Sequence, residues 1–359
     1  MTIGIVLHPY GEKEPAGLGQ AIFELAKAMI AASPKHEFLI FIKGDPERRP
    51  EFPGTNWRVH PLGGGIFWLD RLHKAPPADV YLFNTPVLPH FWRRKSVVVA
   101  LDFAYLHLPA HGAGERIKRY LLKRRHRAAL HRASRVAAIS EATRQDAIRY
   151  FGLPPERVKT IYLGYNRICS VPSQPLSLPE KFFLFVGVLK ARKNVHTIIK
   201  SFARFHPRHP DFHLLLAGRA EGEYAAAMRA MVRKEGLEGH VHFLGYRSDA
   251  QLAYLYQRTA ALVYTSVVEG FGFPILEAMN CGTPVITSAT SSLPELAGDA
   301  AFLVDPQDPA ALAAAMERIA RDPVFVETLI KRGMEQAKKF SWDKAGRETA
   351  VVLRRAAMS

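Results

Sequence analysis

The chain has 359 residues, of which 48% are hydrophobic and 23% charged, with a formal net charge of +16. That length and apolar content exclude a disordered chain and suggest two globular domains, each large enough for its own core. No apolar run reaches the roughly 18 residues that span a bilayer, and the start, MTIGIVLHPYGEKE, lacks the basic region of a signal peptide, so the sequence reads as that of a cytoplasmic protein.

In chain order, Ile3–Leu7 is a short buried strand, and Gly17-Leu18-Gly19 leads into an amphipathic helix over Leu18–Ala31. Strands are predicted at Phe38–Ile42, Val80–Phe83 and Val97–Leu101. ERIKRYLLKRRHRAALHRASR, Glu115 to Arg135, is the most basic stretch; Ile117, Tyr120, Leu121 and Leu122 interrupt its charge at helical spacing. Two readings fit this helix: a solvated face, or contact with anionic lipid head groups or a phosphorylated acceptor. Nucleic acid is not expected as a partner, because no recognition module accompanies the charge. Strand Val136–Ile139, helix Glu141–Tyr150 and strand Val158–Ile161 complete a first domain, residues 1–165, which carries 25 Lys and Arg against 14 Asp and Glu. The βα alternation predicts a doubly wound parallel sheet.

Residues 166–181, NRICSVPSQPLSLPEK, are rich in Pro and Ser and read as a linker. The alternation then restarts over residues 182–340. Strands are predicted at Phe182–Val186, Phe212–Ala217, Val241–Leu244, Ala261–Tyr264, Pro284–Thr287 and Ala301–Val304. Helices are predicted at Val195–Phe205, Glu223–Glu235, Ala250–Gln257 and Ile275–Cys281, and from Pro309 onward, with residues 341–359 a terminal helix. Two doubly wound α/β domains facing across a cleft are therefore expected, with ligands beyond the carboxyl ends of the strands. Cys169 and Cys281 form no CxxC pair and are expected to be reduced and structural.

The densest chemical signal is VVEGFGFPILEAMNCGTPVITS, Val267 to Ser288. Glu269 lies in a glycine-bearing loop with Gly270 and Gly272, Pro274 suits the first turn of a helix, and Gly282 suits its end. Glu277 falls within that helix. Glycines and a helix start offer backbone N–H groups to an anion, while two carboxylates suit the hydroxyls of a ribose and a hexose. A second signal is FLFVGVLKARKNVHTIIKSF, Phe183 to Phe202, where Arg192 and Lys193 follow a buried strand and precede a helix, as a diphosphate clamp requires.

These strings, with HFLGYRSDAQLAYLYQRTAALVYTS and SSLPELAGDAAFLVDP, resemble glycosyltransferase family 4, the retaining enzymes of the GT-B fold. The resemblance covers nearly all of the C-terminal half. It is weaker in the N-terminal half, where AGLGQAIFELAKAM and AISEATRQDAIRYFGLPPERVKTIYLGYN carry it. It implies that Glu269 contacts the donor sugar, with Gly270, Phe271 and Gly272 offering backbone N–H groups to sugar and phosphate. Glu277 would bind the ribose, Arg192 and Lys193 the diphosphate, and Leu244–Ser248, including Gly245, Tyr246 and Ser248, would line the base. Gly17, Gly19 and Asp102 would serve the acceptor or phosphate side, and the terminal helix would return to the first domain. The RKN and SLPELAGDAA strings look most like bacterial mannosyl- or rhamnosyl-type enzymes. They favour GDP-mannose as donor and a saccharide or lipid-linked acceptor, with peripheral contact on the inner face of the membrane. A UDP-sugar donor and a non-catalytic sugar-nucleotide-binding protein are the alternatives.

Three positions depart from the family pattern. Leu101 stands before Asp102 where a His is usual, with His107 as a possible substitute; Gln20 and Val188 replace basic residues. No cofactor and no metal are expected. HPRHPDFH, His206 to His213, has no matching acidic residue for zinc, Ile22 breaks the dinucleotide fingerprint begun at Gly17, and no isolated DxD pair stands out.

Overall fold

The computed structural model describes residues 1–8, 17–44, 49–110 and 112–358, with side chains in the first helix from Gly19 onward. The chain divides into two compact units: residues 1–164 with 340–359, and residues 165–339.

The first unit begins with β1 (Thr2–Leu7), α1 (Gly17–Ala31), β2 (Glu37–Ile42), β3 (Trp57–Pro61), β4 (Val80–Phe83) and β5 (Ser96–Ala100). It continues with α2 (Gly112–Arg132), β6 (Arg135–Ala138), α3 (Glu141–Phe151) and β7 (Val158–Thr160). The second unit holds β8 (Lys181–Val186), α4 (Val195–Phe205), β9 (Phe212–Ala217), α5 (Gly222–Lys234), β10 (Val241–Gly245), α6 (Asp249–Arg258) and β11 (Ala261–Tyr264). After these come α7 (Phe273–Asn280), β12 (Val285–Ser288), α8 (Leu293–Ala297), β13 (Phe302–Val304), α9 (Pro309–Arg321) and α10 (Pro323–Ala337); α11 (Trp342–Met358) belongs to the first unit.

Both sheets are parallel, in the orders β3-β2-β1-β4-β5-β6-β7 and β10-β9-β8-β11-β12-β13. Helices cover both faces of such a sheet, so its central strands are apolar without alternation. Five successive residues of β1, β2 and β8 are buried. α4 turns one apolar stripe inward, burying Val195, Ile198, Ile199, Phe202 and Phe205. Ser140 caps α3 by accepting from the Thr143 amide, and Gly152 ends that helix at φ 68°. In the first unit, Trp92 sits edge-on to Tyr81 and Phe83 in the core. α11 lies so close to α1 that a Cβ on Gly346 would meet the Ala28 carbonyl carbon at 2.6 Å.

Three features differ from the sequence reading. β3 is an additional edge strand, hidden in the sequence because it is half exposed and ends in proline. α8 is a five-residue helix, too short for a periodic signal. Cys169 and Cys281 are joined in a disulfide, not reduced, because the 3-10 turn Ile168–Ser170 packs against the end of α7 and brings their Cα atoms to 5.5 Å. The bond closes a separation of 112 residues that no spacing rule reveals.

His206, His213, His240 and His242 pack ring against ring at the amino ends of β9 and β10. Burial, then neighbouring imidazoles, hold His206, His213 and His242 below the usual histidine value of 6.5. Folding into this cluster therefore favours the neutral form of those three imidazoles, so the unfolded chain gains protons first. Its stabilisation is complete above about pH 6.5 and is lost as pH falls through and below that value. The melting temperature is expected to drop between pH 7.5 and 5.5, with a shallower drop in His206→Gln; equal slopes in the two proteins would sink this account. Replacing both cysteines by serine is expected to lower the unfolding free energy by about 2–4 kcal/mol, read from urea melts; an unchanged midpoint would show the bond adds nothing.

Candidate active site

In the second sheet the order reverses between β8 and β11: β8 leads on to β9 on one side and β11 to β12 on the other. Chain segments leaving the carboxyl ends of such neighbouring strands diverge and leave a recess, the usual ligand position in this architecture. The segments that leave here carry both sequence signals. After β8 comes a 3-10 turn, Ala191–Lys193, and after β11 comes the loop with Glu269, Gly270 and Gly272.

Asn194 locks the first segment in place. It sits at φ 61°, and its side-chain amide donates to the carbonyls of Thr265 (3.0 Å) and Pro306 (2.6 Å). Its carbonyl oxygen accepts from Thr197 at 2.7 Å. The turn thereby directs Arg192 and Lys193 to Glu269, with Arg192 Nη1 2.6 Å from Oε2 and Lys193 Nζ 2.6 Å from Oε1. Glu269 is 7% exposed. Burial alone would raise its carboxyl, but Lys193 and then Arg192 outweigh that and hold it below the ordinary glutamate value.

Three further residues support this triad. Lys193 donates to the Tyr264 hydroxyl at 2.5 Å and lies 4.8 Å from the centre of its ring. Ser291, at φ 60°, accepts from the Glu269 amide at 3.0 Å and donates to the Glu269 carbonyl at 2.7 Å. Ser292 donates to the carbonyls of Glu269 and Phe271. The loop is thus held through its backbone, and Phe271 is buried.

Gly272 precedes α7 at φ 133°, and no side chain caps the helix. A Cβ there would come within 2.8 Å of Leu293 Cδ2. On α7, Glu277 keeps some solvent contact but has protein on most sides, and burial pushes its carboxyl up to about 7. The Tyr256 hydroxyl donates to Glu277 Oε2 at 3.2 Å.

Of the remaining predicted residues, Gly245, Tyr246 and Ser248 belong to the second unit and Gly17, Gly19 and Asp102 to the first. Gly245 ends β10 at φ 70°, and Tyr246 is exposed. Ser248 caps α6 in a reciprocal pair with Gln251, so its hydroxyl has a structural task. Gly17 and Gly19 lie in the first turn of α1; residues 9–16 of the loop before it are outside the described residues. Asp102 follows β5 and accepts from the Ala104 amide at 3.1 Å. His107 Nε2 lies 2.7 Å from Asp146 Oδ2. Among the described residues no group of three or more His, Cys, Asp or Glu side chains is arranged to hold a metal ion, the imidazole cluster included.

Sequence reasoning missed Tyr264, Tyr256, Ser291 and Ser292. Tyr264 had a usable signal as the last residue of a buried strand at the carboxyl edge; the others are brought in only by folding.

Residues 170–338 match the family model for glycosyl transferases group 1, and residues 15–167 that for glycosyltransferase family 4. The chain belongs to this family of sugar transferases. It is 32% identical over 284 residues to O-antigen chain mannosyltransferase B of Escherichia coli, a match covering 75% of this transferase and 73% of that one. Among solved structures it is similar to sucrose-phosphate synthase from Thermosynechococcus elongatus, with a TM-score of 0.78, 23% identity and coverage of 99% and 98% of the two chains. It is likewise similar to Anabaena HepE in complex with UDP and glucose, with a TM-score of 0.78, 22% identity and coverage of 98% and 99%. These likenesses show the GT-B fold. The transferase has no described helix long and apolar enough to cross a membrane.

Gly272→Ala is expected to cost about 1–3 kcal/mol from the disallowed backbone and the Leu293 contact. A denaturant midpoint equal to wild type would contradict that.

Proposed function

We propose that this transferase moves mannose from GDP-mannose, with retention at the anomeric carbon, to a saccharide or lipid-linked saccharide in surface polysaccharide synthesis. The observation that carries the reading is the pairing of Arg192 and Lys193 with buried Glu269 at the sheet's switch point. Two cations satisfied by one carboxylate are positioned to exchange part of that contact for a diphosphate. Glu269, released in part, then accepts hydroxyls of the donor sugar. Glu277 accepts ribose hydroxyls, and the backbone from Gly270 to Gly272 faces sugar and phosphate.

Charge builds on the leaving β-phosphate as the anomeric C–O bond breaks. Arg192 and Lys193 stabilise it there, the role that makes a divalent cation unnecessary in this reading. The acceptor oxygen bonds to the same face of the sugar, and its proton passes to the leaving phosphate oxygen. The mannosyl donor and polysaccharide product are supported by the name of the Escherichia coli relative. A UDP-hexose donor is the second reading, favoured by the UDP and glucose in HepE.

Peripheral contact with an anionic membrane belongs to the same proposal. On α2, Ile117, Tyr120 and Leu121 are each at least 58% exposed beside Arg116, Lys118 and Arg124. Apolar side chains among cations suit the head-group boundary where a lipid-linked acceptor lies.

Glu269→Gln and Lys193→Ala are each expected to lower kcat/KM by at least about 100-fold with the fold retained; normal turnover in either would remove the site from the chemistry. Transfer is expected to continue in EDTA, and a strict need for added Mg²⁺ or Mn²⁺ would refute the cation role given to the two side chains. Ile117→Glu with Leu121→Glu should reduce sedimentation with phosphatidylglycerol vesicles about tenfold. Unchanged sedimentation would exclude α2 as the contact.

A further inference from the structure

Two carboxylates of the site are held by different means, and the second is not explained by the family reading. Glu269 is balanced by cations. Glu277 has none among the described residues: its contact is the phenol of Tyr256, from a different helix. Tyr256 is 1% exposed, so its hydroxyl is committed to a partner inside the protein. The helix that carries it is fixed to the chain just beyond α7, where Thr283 Oγ1 donates to the Tyr256 carbonyl at 2.6 Å. Glu277 Oε2 takes the phenol, and Oε1 has no hydrogen-bond partner among the described residues. It is the oxygen left for a ligand.

We propose that Tyr256 is a positioning residue for donor binding: its buried hydroxyl holds the Glu277 carboxylate so that the other oxygen receives the ribose hydroxyls. The inference rests on the reading of this unit as a nucleotide-sugar site. The phenol matters because the carboxylate is costly here. Burial pushes Glu277 up to about 7, the Tyr256 hydrogen bond pulls it down, and the charge of Asp249 pushes it up. Both of those groups are on α6. β11 contributes Tyr264, which acts electrostatically on Tyr256. α10 meets α7 through Gly333 against Met279, and the turn at Ile168–Ser170 meets it through the disulfide. No charge on α8, α10 or β12 is among the groups that shift Glu277. A carboxylate accepts from two hydroxyls and a neutral acid does so poorly, so the ribose contribution rises with pH through about 7. Removing the phenol moves that rise upward; removing the Asp249 charge moves it down.

The test measures binding of GDP and UDP, and of their 2′,3′-dideoxy counterparts, by titration calorimetry from pH 5.5 to 8.5. The dideoxy compounds share the phosphate titration and lack the ribose hydroxyls, so the affinity ratio isolates the ribose. For the tighter-binding base, the wild-type ratio is expected to rise through a midpoint near 7. In Tyr256→Phe the midpoint moves up by roughly one pH unit and the ratio at pH 7 falls about fivefold. In Asp249→Asn, an exposed helix-start position whose change spares the core, the midpoint moves down. In Glu277→Gln the ratio is flat. A Tyr256→Phe protein that binds more weakly at every pH with its midpoint unmoved would reduce Tyr256 to packing and overturn the proposal. So would an unmoved midpoint in Asp249→Asn. Equal ribo and dideoxy affinities in wild type would instead remove Glu277 from the ribose, and absence of any nucleotide binding would remove the donor site itself; either also ends the proposal.

Discussion

A carboxylate withdrawn from water and held by two cations is the constraint on which the second unit's carboxyl edge depends. An isolated charge at the position of Glu269 is costly, and removing one partner of a buried pair typically costs about 3–5 kcal/mol. Arg192 and Lys193 therefore must reach it, and reaching it dictates the backbone. The turn after β8 is pinned by Asn194 to Thr265 and Pro306, and the loop after β11 is pinned by Ser291 and Ser292. Segments far apart in sequence become one rigid edge. The same economy makes the site responsive, because an arriving dianion offers the two cations a competing partner.

The second carboxylate obeys the opposite logic. Glu269 is held below the ordinary glutamate value by charges, whereas Glu277 is raised by burial without a cation to oppose it. Pairs of titratable groups driven apart by their surroundings are a common way to divide roles within one site. Here one carboxylate is held below the ordinary glutamate value by its two cations and, in the proposed reading, faces the reacting sugar. The other is raised to about 7, with a phenol helping to set its charge, and is proposed to read the ribose.

Much of this edge was legible before folding. The spacing of Glu269 and Glu277, the glycines between them and Pro274 describe a strand, a tight loop and a helix in consecutive residues. Arg192-Lys193 after an apolar strand is equally local. What was not legible has a common cause. Tyr256 and Glu277 meet because α6 and α7 pack, Lys193 and Tyr264 because β8 and β11 are neighbours, and Cys169 and Cys281 because a turn lies against a helix end. That Ser248 caps α6 was equally unread, although Gln251 three positions on completes the reciprocal pair.

The amino-acid sequence by itself determined the order of most strands and helices and the two stretches proposed to carry the chemistry, because these follow from periodicity and from contacts within a few residues, and its motifs carried the family resemblance. Tertiary structure alone decided that the cations rest on Glu269, that buried tyrosines attend the site, that His206 and His213 pack against His240 and His242, and that the cysteines are joined. Each of those depends on which strands lie side by side and which helices touch, and a charge's burial, which sets its proton affinity, exists only once they do.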